Sequence, residues 1–444
     1  MITKKDAPEV VAEQHHMIQA ANGVDYVIIP PDFKPNTHPD AQWFKTAGLG
    51  IFLHWGLSSV EGACDISWGM MNGVDGPRKL GITPTRYYDQ AKNFNPQNYH
   101  PEKWLAKAAE AGATYAVLTT KHHDGFALWP SKYGDLNTKN YMDGRDLVRT
   151  FVEACRKVGL KVGLYFSPPD WYYCRDYMGF NYPGQPNVDM DHQPTEIPTA
   201  PEGFGKQLVN YTRHQIEELL TNYGTIDILF FDGCVNKEFG NCHIAIPMNR
   251  LRELQPGMVV NPRMHGYGDY ITPEAEMPEE KPSQLWELCD ISDMNAWGYL
   301  KDDLRTYFPT SKMIGRLHHC RAWGGNYLIN IAPGPDGDLP VEGYRLLDEL
   351  KGWIDSCGAA IKGALPGGYP DTCNVPETID DNKHYLYVAP ENRSDLVLKT
   401  SKCPTRVTLL RSGQNLPFEF DGKQVTIKVA SELRSSLGDI AAVL

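Results

Sequence analysis

The sequence predicts a parallel α/β barrel of the (β/α)8 type followed by a smaller antiparallel β domain, and three observations carry that prediction. Apolar strand patterns and amphipathic helix patterns alternate repeatedly between residues 41 and 362. That is the rhythm of a parallel sheet wound with helices rather than of a bundle or a sandwich. One of the strands, Ile226-Asp227-Ile228-Leu229-Phe230-Phe231, runs straight into Asp232-Gly233. A buried parallel strand is apolar on both faces, so a carboxylate at its C-terminal tip needs a partner, a ligand or a function. Strand tips are also where barrel enzymes carry their chemistry; the plainer alternative is that Asp232 caps the segment that follows. After Gly363 the pattern shortens to alternating runs, Tyr385–Val388, Leu396–Leu398 and Val425–Val429, separated by turn-formers. This reads as a small antiparallel β-sandwich. The expected division is a polar, proline-dotted lead-in over 1–40, a barrel over 41–362 and a sandwich over 363–444.

In chain order, the first strand is Gly48–Gly56, with His54 and Trp55 at its far end. Ser58–Pro101 reads as a long loop containing Ser67-Trp68-Gly69, and loops of that length in a compact domain are usually functional. Glu102–Gly112 is a helix closed by glycine. Ala113–Lys121 is a strand ending in His122-His123-Asp124, and Arg145–Val158 is a helix. Leu160–Ser167 is a strand carrying Tyr165, and Phe204–Tyr223 is a long helix leading to the Asp232 strand. Asn241–Leu254 is helical, Met258–Arg263 is a strand with Arg263 at its tip, and an acidic loop holds Glu274. Leu285–Cys289, with Trp286 and Glu287, is a short strand. Ser311–Ala322, a strand from Asn326 and Leu339–Ile361 complete the alternation.

The chain has 444 residues, 41% hydrophobic and 22% charged, with net charge −12. That is ordinary globular composition with ample core. An acidic balance without a basic run argues against nucleic acid and anionic membranes as partners. No apolar stretch approaches the ~20 residues that span a bilayer. Residues 1–23 lack an apolar h-region, so no export signal is visible; a periplasmic or secreted location is expected if a signal segment was removed, a cytoplasmic one otherwise. The composition leaves room for a homo-oligomer. Ten cysteines show no metal-ligand spacing, and Cys155, Cys289 and Cys357 are expected as buried thiols.

Taken together, the strand tips present His54, Trp55, His122, His123, Tyr165, Asp232, Arg263 and Glu287, with Glu274 on the loop beyond Arg263. Two carboxylates among histidines and aromatics suit glycoside hydrolysis, which needs a nucleophile or base on one side of the anomeric carbon and a protonated carboxyl on the other. The competing chemistry is a metal site built from His54, His122, His123 and Asp124. Adjacent histidines on a strand point to opposite faces, so both reach one ion only if the strand end turns.

The motifs Gly48–Gly56, Thr120–Phe126 with Trp129-Pro130, Gly163–Ser167 with Asp170-Trp171, Phe231–Gly233, Trp286-Glu287, Ala296–Tyr299 and Gly324–Asn330 resemble, in this order, those of the α-L-fucosidases of glycoside hydrolase family 29. The resemblance spans roughly residues 40–360. It implies a retaining exo-glycosidase on a (β/α)8-like barrel with a C-terminal β-sandwich, acting on a fucosylated oligosaccharide or glycoconjugate, with no metal or cofactor. It places the nucleophile at Asp232 and the substrate contacts at His54, Trp55, Trp68, His122, His123, Tyr165, Phe230, Arg263 and Trp286. The acid/base sits on a variable loop in such enzymes. Glu274 in its Thr-Pro-Glu context is favoured because a loop folding over an apolar wall raises a carboxyl pKa; Glu287 is the runner-up. The chain departs from the pattern where many members carry Glu-Trp-Tyr, here Ser67-Trp68-Gly69, and where a tryptophan precedes the nucleophile by two residues, here Phe230. These departures keep α-L-galactosidase action open, because an apolar pocket rejects an added hydroxyl only weakly. A non-catalytic glycan-binding protein is the alternative from another class.

Overall fold

The computed structural model describes residues 33–73, 82–182, 184–234, 243–381 and 383–444. Seven parallel strands curve around an aromatic axis in the order β5-β4-β3-β2-β1-β7-β6. They are β1 Leu49–Leu53, β2 Ala113–Lys121, β3 Lys161–Phe166, β4 Ile228–Phe231, β5 Val259–Val260, β6 Glu287–Ile291 and β7 Asn326–Asn330. The gap between β5 and β6 is filled by an irregular extended segment, residues 269–275. Asp269 donates its N–H to Val260 O at 2.8 Å and receives Val260 N–H on Oδ2 at 2.7 Å. Ile271 N and Ala275 N donate to Leu285 O and Cys289 O, and Glu287 N and Cys289 N donate back to Ile271 O and Pro273 O. This ladder runs parallel to β6, so the segment takes the place of an eighth strand and the sheet forms a (β/α)8-like barrel.

Every-other-residue geometry sets what faces the axis. Phe52, Tyr115, Val117, Tyr165, Ile228, Phe230, Val259, Cys289 and Leu328 pack into one buried cluster with Phe44 and Tyr270. Continuing each inward row toward the C-terminal ends leads to His54, Asp232, Arg263 and Asn330. Gly50 is glycine because Tyr115 crosses the axis; a Cβ there would lie 2.2 Å from the tyrosine ring.

The helices Pro101–Glu110, Leu147–Val158, Phe204–Asn222, Thr310–Ala322 and Val341–Cys357 coat the outside. The region expected as one long loop contains a helix, Pro84–Asp89, capped by Thr83. The helix expected from Asn241 starts at Met248, after Pro247, because proline is favoured at a helix start and disfavoured within one; Asn241 itself lies outside the described residues, as does most of the lead-in. Cys155, Cys289 and Cys357 are buried free thiols, whereas Cys234 is in a disulfide.

The C-terminal part is a sandwich of a five-stranded and a three-stranded antiparallel sheet around its own apolar core. Its strands Lys383–Val388 and Asp439–Val443 face the barrel helices. Tyr385, Tyr387, Ile440 and Ala442 join the core that contains Leu317 and Trp353, and Tyr387 stacks at 25° on His318. The His318-His319 doublet is thus packing, its pKa values pushed down to about 3 and 4 by burial.

Candidate active site

At the C-terminal mouth of the barrel lies a cavity of about 200 Å³, below the range for drug-sized ligands and on the scale of one sugar ring. Its lining includes Phe52, His54, Ile66, Trp68, His122, His123, Tyr165, Tyr182, Phe230, Asp232, Arg263, Glu274, Cys289 and Trp297. Among the described residues, Asp232 and Glu274 are the carboxylates in that lining.

Asp232 follows β4 directly. Its Oδ2 accepts from the Tyr165 hydroxyl at 2.7 Å and lies 3.6 Å from His123 Nε2; its Oδ1 accepts from Arg263 Nη1 at 3.0 Å. Burial by itself would raise this carboxyl, but Arg263, His123 and the tyrosine hydroxyl outweigh it and hold its pKa at about 2. Gly233 turns the chain away with φ +92°, a left-handed conformation that favours glycine. Arg263 reaches Glu274 with its other nitrogen, Nη2 to Oε2 at 2.7 Å. One guanidinium therefore grips both carboxylates, a geometry suited to its planar fork. The Glu274 side chain is 42% exposed. The expectation of an apolar wall around it is not met: its neighbour is a cation, at the open rim.

Glu287 lies elsewhere. It is the first residue of β6, at the end of the barrel remote from the cavity, fully buried and bonded to the Tyr115 hydroxyl. Burial pushes its pKa up to about 8. By acidity alone it would suit a general acid, but geometry comes first, and Glu287 does not line the cavity. The expectation that it is a strand-end carboxylate is corrected: the strand begins two residues later than Leu285, so Glu287 opens it. Trp286, one residue away, is wholly buried against Gly325 and donates to Trp323 O at 3.2 Å. Trp55 likewise points away from the cavity, stacked on Tyr99 with ring centroids 4.8 Å apart and donating to Gly334 O at 2.9 Å. Both tryptophans alternate with an inward residue and so face the helices.

The histidines are individually oriented. His54 donates both its backbone N–H (3.1 Å) and, at 2.8 Å, its ring Nδ1–H to Asn330 Oδ1; the amide is fixed because Asn330 Nδ2 donates to Trp297 O at 2.6 Å. Burial lowers the His54 pKa to about 4, so near neutral pH the ring is uncharged and Nε2 is an acceptor. Ser167 donates to Pro169 O, leaving its Oγ to accept from His123 Nδ1 at 2.6 Å. His122 Nδ1 is bonded to Ser67 Oγ, and the His122 ring stacks at 8° on Tyr165. The two adjacent histidines both enter the cavity because β2 ends at Lys121 and the chain turns. His122, His123 and Asp232 bring ligand-type atoms within 4.8 Å of one another. A cation there would sit beside the Arg263 guanidinium, so the set suits hydroxyl binding better than metal binding. Asp124 is turned away from the cavity, accepting from the Tyr87 hydroxyl and Phe126 N–H.

Phe230 stacks at 16° on Tyr165 and carries Arg263 over its ring at 5.1 Å. Asn330, Ser167, Cys289, Trp297 and Tyr182 are not among the expected site residues. Asn330 and Cys289 share inward parity with recognised core residues, and Trp297 lies within the Ala296–Tyr299 motif, which are signals; Tyr182 comes from a loop that carries none.

A family model described as alpha-L-fucosidase matches residues 27–359. The tissue alpha-L-fucosidase of Mus musculus is 29% identical over 358 residues, 76% of this chain and 74% of that protein. The Homo sapiens tissue enzyme is 29% identical over 352 residues, 74% and 71% of the two chains. Among solved structures, alpha-L-fucosidase isoenzyme 1 from Paenibacillus thiaminolyticus superposes with a TM-score of 0.75 at 27% identity, covering 91% of this chain and 98% of that one. A GH29 alpha-L-fucosidase from Bacteroides thetaiotaomicron, trapped as a covalent intermediate with 2-fluoro-fucosyl fluoride in a glutamate-to-glutamine mutant, gives a TM-score of 0.74 at 25% identity, with 94% and 99% covered.

Proposed function

The chain belongs to the α-L-fucosidase family, and from that membership we propose that it releases terminal α-L-fucose from oligosaccharides or glycoconjugates by double displacement with retention. The observation that carries this reading is the Asp232–Arg263–Glu274 cluster at the cavity mouth. Asp232, ionised and held by Tyr165 and Arg263, attacks the anomeric carbon and forms a glycosyl ester as the leaving oxygen departs. Glu274 gives that oxygen a proton, then takes one from the water that cleaves the ester. Two carboxylates on one guanidinium are close together, in keeping with retaining rather than inverting spacing. The Nε2 acceptor of His54, with His122 and His123, receives sugar hydroxyls, while Phe52, Ile66, Phe230 and Trp297 supply the apolar surface that a 6-deoxy sugar buries.

The test is incubation with 2-fluoro-fucosyl fluoride followed by peptide mass mapping, alongside turnover of p-nitrophenyl α-L-fucoside and α-L-galactoside. The expected result is a 2-fluoro-fucosyl ester on Asp232, fucoside turnover abolished by Asp232→Ala, and at most about 10²-fold preference over the galactoside. Turnover that survives Asp232→Ala would overturn the assignment.

A further inference from the structure

The cavity is closed at the barrel end and open at the rim, and two of its lining residues stand out by exposure: Glu274 and Tyr182. Tyr182 is 40% exposed, one of few large apolar side chains in the described residues that reach solvent. It is not a loose tip. Its N–H donates to Asn72 O at 2.8 Å, Asn72 N donates to Phe180 O at 2.8 Å, and Gln185 N donates to Tyr182 O at 3.0 Å. The first two splice the loop after β3 to the loop after β1, and the third closes a turn within the former. Behind the ring stands Trp68, 6.1 Å away edge-on, itself braced at 5.2 Å by Trp171. A part-exposed aromatic ring held at a pocket mouth by backbone bonds and packed edge-on against Trp68 is the kind of anchor that carries binding energy at low entropic cost.

The floor of the cavity holds one ring, so whatever is joined to it extends through the mouth, past Glu274. The geometry points to Tyr182 as a leaving-group subsite that stacks on the pyranose to which the fucose is attached. This inference rests on the fucosidase reading above and adds the residue that meets the apolar C–H face of the sugar on the leaving side. Binding energy from that remote ring is spent in the transition state.

The experiment compares kcat/KM for fucosyl-disaccharides of α1,2, α1,3, α1,4 and α1,6 linkage with that for α-L-fucosyl fluoride, which has no sugar beyond the scissile bond. For the disaccharide the wild type cleaves fastest, Tyr182→Ala is expected to lower the disaccharide-to-fluoride ratio about tenfold. Tyr182→Leu, which keeps bulk without a ring, lowers it similarly, and Tyr182→Phe retains it. A ratio unchanged in Tyr182→Ala and Tyr182→Leu, whether or not both rates fall together, overturns the subsite. So does a wild type that turns over the fluoride and no disaccharide. A wild type inert toward the fluoride as well would instead sink the fucosidase reading itself.

Discussion

Asn330 accepts two hydrogen bonds from His54 on a single oxygen, one from the backbone and one from the ring. The residue that closes β7 thus sets the tautomer of the residue that follows β1. Replacing it with leucine keeps the strand but frees the ring, and kcat/KM for an aryl α-L-fucoside is expected to fall about 10–100-fold. Asn330→Asp gives a sharper readout. A carboxylate beside Nδ1 favours the imidazolium, so the acid limb of kcat/KM attributable to His54, near pH 4 in the wild type, moves upward. A limb that stays put would separate His54 from the reaction.

Glu274 and Glu287 are told apart by leaving group. Glu274→Gln is expected to cost about 10²–10⁴-fold on fucosides of sugars, whose oxygen needs a proton, and far less on α-L-fucosyl fluoride, whose leaving group does not. Glu287→Gln should show no such leaving-group dependence. Parallel kinetics on the two substrates decide it, and a selective loss in Glu287→Gln would reverse the assignment.

Glu287 instead predicts a pH dependence of stability. Its pKa is raised by burial from 4.5 to about 8 in the folded chain, so between those values the native state keeps a proton that the unfolded state has released. Stability from this group is complete below about pH 4.5 and declines as pH rises toward 8, on the order of a few kcal/mol in all. Glu287→Gln cannot lose that proton. The difference in Tm, variant minus wild type, should therefore grow between pH 5 and pH 8 in thermal melts. A flat difference would mean that the native carboxyl is ionised throughout.

What could be read in the sequence followed how strongly each feature is coded locally. The strand into Asp232-Gly233 is visible because a continuous apolar run ends in a charge; His54 and Arg263 likewise stand where apolar runs end, while Tyr165 sits within its strand, one residue before its end. The phase of a short buried strand is not coded. Leu285–Cys289 looks like a strand, yet the ladder with the segment 271–275 and with β7 sets β6 at Glu287–Ile291, which puts Glu287 at the floor instead of the mouth. Trp55 and Trp286 failed for a related reason. Each sits inside a recognisable motif, but a period of two turns neighbours to opposite faces. The pairing of Glu274 with Arg263, and the arrival of Tyr182 from a separate loop, depend on contacts across the sheet that no local pattern records.

The segment 269–275 has one more implication. It is laced along β6 by a regular ladder, yet its backbone hydrogen bonds to β5 run through Asp269 alone. If Glu274 is the proton donor proposed above, it rides on the least committed stave of the barrel, where residues inserted or deleted on either side leave the seven regular strands in register. A designer grafting loops there could shift that carboxyl along the rim while Asp232 and Arg263 stay on their own strands.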